Sequence, residues 1–234
     1  MSIEGIRKKL KNLGSVERAK VLQRFFKTGP GEYGEGDLFL GIRVPVLRGL
    51  AKEHEDITKV EAGRMLRSAF HEERLLALLI LVRRFSGGDL AERRGVYDFY
   101  MKKTRFVNNW DLVDLSAPNI TGAYLFDKEK KPLYEFAASA DLWKRRISIV
   151  ATHYFIKNEC FEDTLNIAEI LVADKEDLIH KAAGWMLREV AKRDKKAAAG
   201  FLKEHYKHMP RTMLRYAIER FPEDERQGYL KGSI

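Results

Sequence analysis

Apolar residues recur at helical spacing along nearly the whole chain, as in Val16, Ala19, Val21, Leu22, Phe25 and Phe26 and again in Leu165, Ala168, Ile170, Leu171 and Val172. That spacing predicts amphipathic helices, and strand-like alternation is almost absent. The six prolines fall at helix boundaries: Pro132 precedes Leu-Tyr-Glu-Phe, Pro210 precedes Arg-Thr-Met-Leu, Pro222 follows Glu-Arg-Phe, and the others lie near glycines or turn residues. Ser139 or Asp141 is placed to cap a helix running through Lys157. Asp174, with Asp177 three residues on, resembles a capping box ahead of a helix through Lys192. The chain therefore reads as all α. Only residues 28–37, Thr-Gly-Pro-Gly-Glu-Tyr-Gly-Glu-Gly-Asp, hold enough glycine to make a long connection.

Several helices share one layout, a basic residue followed by a long apolar run. Arg74 leads Leu-Leu-Ala-Leu-Leu-Ile-Leu-Val, Arg146 leads Ile-Ser-Ile-Val-Ala, Lys181 leads Ala-Ala-Gly-Trp-Met-Leu, and Arg211 leads Thr-Met-Leu-Arg-Tyr-Ala-Ile. The step from 74 to 146 is twice 36, and the position it skips is Trp110. The register 74, 110, 146, 181, 211 predicts helical-hairpin repeats stacked into a superhelical, HEAT-like array, one domain over residues 1–234. Equivalent positions would form a row along a concave groove, with Asp114, Val150, Trp185 and Arg215 one turn further on.

Composition narrows the partner. Among 234 residues, 45% are hydrophobic and 33% charged, enough apolar material for a packed core. Lys and Arg number 43 against 34 Asp and Glu, a net charge of +9 that favours an anionic partner such as nucleic acid. Cys160 is the only cysteine, which rules out disulfides within the chain and cysteine-rich metal centres, and suits the cytoplasm. The longest uninterrupted apolar run, residues 75–82, is far short of a membrane span, and the charged N-terminus is unlike a secretory signal. The six histidines form no HExxH pattern, so no metal is expected.

The most specific arrangement is Asn108-Asn109-Trp110-Asp111-Leu112-Val113-Asp114, in which Trp110 and Asp114 share a helical face while Asp111 and Leu112 point elsewhere. With Phe39-Leu-Gly-Ile-Arg-Val-Pro45 before it and Leu142-Trp-Lys-Arg-Arg146 and Lys181-Ala-Ala-Gly-Trp185-Met-Leu-Arg-Glu189 after it, the chain resembles the DNA alkylation repair family of AlkD-type, HEAT-like-repeat DNA glycosylases along nearly its whole length. The resemblance implies hydrolysis of the N-glycosidic bond of purines alkylated at N3 or N7 in duplex DNA, leaving an abasic site for base excision repair. It places Trp110, Trp185 and Asp114 at the lesion and Arg146 on the backbone, and sets Phe25 where relatives carry a tyrosine facing DNA.

Such a purine is cationic and leaves as a neutral base, so the acid of an ordinary glycosidase pair is dispensable and one carboxylate suffices. Asp114 and the two indoles would stabilise the oxocarbenium-like deoxyribose, and Arg146, Lys181, Arg74 and Arg211 would bind phosphates. The expectation is a monofunctional, cofactor-free enzyme acting as a monomer on alkylated double-stranded DNA, without a membrane or an obligate protein partner. The rival readings are a non-catalytic binder of bent or branched DNA and a HEAT-type protein scaffold.

Overall fold

A helical stretch that is apolar around its full circumference must be enclosed by others, and residues 75–82 form one. In the computed structural model, which describes residues 2–234, every residue from His71 to Leu81 is buried within helix α5 (His71–Gly87). Around it are α1 (Ile3–Leu13), α2 (Val16–Phe25), α3 (Val44–Glu53), α4 (Lys59–Met65), α6 (Leu90–Lys103) and α7 (Trp110–Ser116). Helices α3, α4, α6 and α7 all pack against α5, with α3, α5 and α7 in one layer and α4 and α6 in the other. These helices belong to the first of two compact units, Met1–Ser116.

Local sequence explains several of these helices. Ser2, Ser15 and Asp89 accept backbone N–H groups as N-caps of α1, α2 and α6, and Thr58 with Glu61 forms a full capping box on α4. In α1, Ile3, Ile6 and Leu10 make the buried stripe. Between α2 and α3, Gly41 has φ +81°, and a Cβ there would stand 2.2 Å from the Ser15 carbonyl oxygen, so only glycine fits. The buried Glu72 carboxylate accepts the backbone N–H groups of Leu40, Gly41 and Ile42 at 2.9, 2.7 and 3.2 Å, which ties this segment to the start of α5.

The second unit, Ala117–Ile234, begins with a π-helical turn, Pro118–Gly122, followed by α8 (Ala123–Leu125), α9 (Lys131–Ala137), α10 (Leu142–Ala151), α11 (His153–Lys157), α12 (Glu162–Leu171), α13 (Asp177–Ala191), α14 (Lys195–His205), α15 (Arg211–Ala217) and α16 (Glu223–Lys231). Hairpin partners α9 and α10, and α12 and α13, pack together, and successive hairpins stack through α10, α13 and α15 in one layer and α9 and α12 in the other. This is the helical-hairpin stacking expected of HEAT-like repeats. Gly184 sets the α13–α15 approach, since a Cβ there would come within 2.5 Å of the Met213 carbonyl oxygen.

The all-α class holds: among the described residues the only β interaction is an isolated bridge between Leu38 and Phe70. The register positions 74, 110, 146, 181 and 211 fall on α5, α7, α10, α13 and α15, all in the same kind of layer. Two local expectations change. Asp141 caps α10 as anticipated, but that helix ends at Ala151 and α11 resumes at His153. Asp174 makes no capping box for α13, because its carboxylate is engaged by Arg145 at 2.6 Å and by the Glu176 N–H at 2.9 Å. Among the described residues no helix is long and apolar enough to cross a membrane.

Candidate active site

In the first unit, Trp110 opens α7 and Asp114 follows one turn later, both half-buried. The indole stacks on Phe26 with ring centroids 5.1 Å apart and planes 13° from parallel, and Phe25, 62% exposed, meets it edge-on at 5.9 Å. The expected Phe25, Trp110 and Asp114 therefore lie in one unit, with Phe25 and Trp110 touching. Asp114 also acts on Tyr100. Burial pushes that phenol well above its ordinary value against the pull of a 2.9 Å bond with Ser116, and the Asp114 charge adds to the rise.

Behind Trp110 lies a cluster that sequence reasoning missed. Phe26 continues the stack onto Phe39 (4.9 Å), which stacks on His71 (4.6 Å), and Phe26 meets the His71 ring at a tilt (5.0 Å). His71, with only 2% of its side chain exposed, has Nδ1 3.2 Å from Asp37 Oδ2 and Nε2 2.8 Å from Asp111 Oδ2. Arg74 Nη2 donates to both oxygens of Asp37 at 2.7 Å, Nη1 donates to the Ser68 carbonyl at 3.0 Å, and Asn109 Nδ2 reaches Asp37 at 3.3 Å. Burial works to raise the Asp37 pKa, but the bonds from His71 and Arg74 outweigh it and hold the carboxyl below its ordinary value. Burial likewise works to lower His71, and the bonds to Asp111 and Asp37 outweigh that and raise it.

Arg74 thus needs correcting. Expected on a phosphate-binding row, it is 4% exposed and paired with Asp37, because α5 is covered by helices on every side. Its apolar circumference was the available signal. The cluster itself was harder to see. Asp37 ends the glycine-rich connection, Asp111 follows Trp110, and His71 is separated from both by more than 30 residues.

In the second unit, Trp185 lies on α13, half-buried, donating Nε1–H to Glu189 Oε1 at 3.2 Å and meeting His153 at 5.5 Å. Glu189 was quoted in the motif but given no role. It is buried and gathers Lys192 at 2.7 Å, Arg193 at 3.6 Å and Arg188 at 3.8 Å. Burial works to raise Glu189, and Lys192 with Trp185 outweighs it and holds the carboxyl down. His153 is pulled below its ordinary value by burial and then by Lys157.

The expected cations divide. Arg146 is buried at 5% exposure and donates Nη1 to the Leu178 carbonyl at 2.5 Å, so it joins α10 to the start of α13 and presents little surface to a phosphate. Lys181 keeps 43% of its side chain exposed while pairing with Asp177 at 2.6 Å. Arg211 is exposed at the start of α15 and donates to the Leu230 carbonyl at 2.9 Å, and Arg215, one turn on, is exposed as well.

Comparison with known proteins fits this arrangement of helices. The model of a family described as DNA alkylation repair enzyme matches residues 6–221. A solved structure described as a predicted DNA alkylation repair enzyme from Enterococcus faecalis superposes with a TM-score of 0.70 at 17% identity, covering 90% of this chain and 97% of its own. AlkD2 from Streptococcus mutans gives 0.57 at 15%, covering 88% and 98%, and smu.31 from Streptococcus mutans UA159 gives 0.55 at 16%, covering 92% and 100%. At these identities the three structures establish the fold. No curated protein matches the chain.

Proposed function

The chain belongs to the DNA alkylation repair enzyme family, and from that premise we propose that it is a monofunctional DNA glycosylase that releases cationic N3- or N7-alkylated purines from duplex DNA. The observation that carries this reading is the pair on α7, a carboxylate one helical turn beyond an indole that is itself backed by a ring stack. A surface that only bound phosphate would gain from replacing that carboxylate.

The alkylated purine carries its own positive charge, so the C1′–N bond can break with its electron pair passing to the base, which leaves neutral and unprotonated. Positive charge moves onto the deoxyribose. Asp114 and the Trp110 face meet that charge more strongly in the transition state than in the ground state, which is the requirement for catalysis. Water then adds at C1′, and its proton passes to Asp114 or to solvent. In the second unit, Trp185, held through Glu189, offers another indole, while Lys181, Arg211 and Arg215 are the exposed cations for phosphate contact. Arg74 and Arg146 serve the interior.

Duplex DNA carrying 7-methylguanine should lose that base on incubation with the protein, and Asp114→Asn should slow release on the order of 100-fold or more with DNA affinity kept. DNA binding without release by the wild type would replace this reading with that of a non-catalytic binder.

A further inference from the structure

Base release as described above makes no use of His71, yet among the described residues no other imidazole is so enclosed. Each of its nitrogens faces a carboxylate oxygen, Asp37 at 3.2 Å and Asp111 at 2.8 Å. Neutral imidazole has one N–H and could satisfy only one of them, leaving a lone pair against an anion. The cation donates to both. We propose that His71, as an imidazolium clamped between Asp37 and Asp111, is a positioning residue that holds Trp110 in place.

Three connections run from the ring to the indole. Asp111 directly follows Trp110 in the first turn of α7, so its bond to His71 restrains that turn. Asn109 spans the same clamp, its Nδ2 donating to Asp37 and its Oδ1 accepting the backbone N–H of Trp110 at 2.8 Å. Phe26 lies between the two rings, 5.0 Å from His71 and 5.1 Å from Trp110.

The charges around His71 balance. Asp37 comes from the connection before α3, Asp111 from α7 and Arg74 from α5 itself, whereas the end of α2 is followed by Phe26, which brings only its ring. Glu72 and Glu73, also on α5, are turned to the backbone of residues 40–42 and to Arg7 with Ser68. Two cations therefore face two carboxylates, and removing the His71 proton leaves the cluster one negative charge in excess. The raised His71 pKa agrees in direction. The clamp is complete below the ordinary histidine value of about 6.5 and is lost as pH rises through the higher folded value.

The inference rests on the reading of Trp110 as a site residue, and its test is kept apart from catalysis. The His71 ring resonance and the Trp110 indole N–H resonance are followed by NMR across pH in the intact wild-type protein and in Asp111→Asn, alongside kcat and KM for 7-methylguanine release. Both resonances should move with one midpoint, and Asp111→Asn should lower that midpoint by about one to three pH units. The alkaline limb of kcat should shift with it while KM stays put. A Trp110 resonance indifferent to His71 ionisation overturns the positioning role. Absence of base release at every pH overturns the glycosylase reading instead, and the paired resonances still decide the role of His71.

Discussion

The two units hold their tryptophans by different means. In the first, Trp110 is stacked on a ring ladder behind which the buried Arg74, Asp37 and His71 and the part-buried Asp111 neutralise one another. In the second, Trp185 is hydrogen-bonded to Glu189, and the cations nearby, Lys192, Arg193 and Lys181, keep a third or so of their side chains exposed. Charge beside Trp110 is consumed internally and shapes the site, while the cations beside Trp185 stay partly exposed, although Arg146 of the same unit is buried. A surplus of +9 is therefore a poor guide to which cations meet DNA. Burial decides it.

Substitutions can break that contrast. Asp114→Asn should have the largest effect of all, on release rate, with stability hardly changed. On stability, Arg74→Ala should cost most, about 3–5 kcal/mol, because it strands the buried Asp37 carboxylate beside a single remaining cation. The thermal midpoint should fall sharply while the salt dependence of DNA affinity, compared at a temperature where both proteins are folded, stays as in the wild type. If Arg74→Ala instead kept its stability and lost salt dependence, the contrast would collapse.

Glu189→Gln should cost less, about 2 kcal/mol at neutral pH, since the amide can still accept from Trp185 but no longer neutralises Lys192. Glu189 is held below its ordinary value, so its contribution is present above the usual carboxylate range and is lost as pH falls through the folded pKa. The deficit of the Gln variant relative to wild type should accordingly shrink in acid denaturation profiles. The smallest change is expected from Arg211→Ala: thermal stability unaltered, and the slope of log affinity against log salt reduced by about 1. An unchanged slope would remove Arg211 from the DNA-contacting set.

Much of the fold was legible along the chain because helix formation leaves local marks. Val16, Ala19, Leu22 and Phe25 read as a helix and form α2, Asp141 reads as a cap and is one, and the register of 74, 110, 146, 181 and 211 falls on α5, α7, α10, α13 and α15. Capping failed where a distant partner intervened, as when Arg145 took the Asp174 carboxylate. The site was legible in part. Trp110 and Asp114 share a face by spacing alone, whereas Phe25, set by the family resemblance where relatives carry a tyrosine facing DNA, proves to meet Trp110, a contact the sequence did not foretell. Asp111, read as pointing away from the chemistry, points at His71.

Periodicity, capping residues and repeat spacing are written in neighbours a few positions apart, and they sufficed for the helices, their order and the α7 pair. The fate of a charged side chain depends on what packs over it. Arg74 and Arg211 occupy matching register positions, yet one is sealed under four helices and the other lies on the surface. Asp37, His71 and Asp111 become a clamp only when a connection, α5 and α7 converge and low-dielectric surroundings make their mutual bonds outweigh burial. Local backbone preference placed the helices. Desolvation, which exists only after they pack, sorted the charges into those enclosed behind Trp110 and those left at the surface.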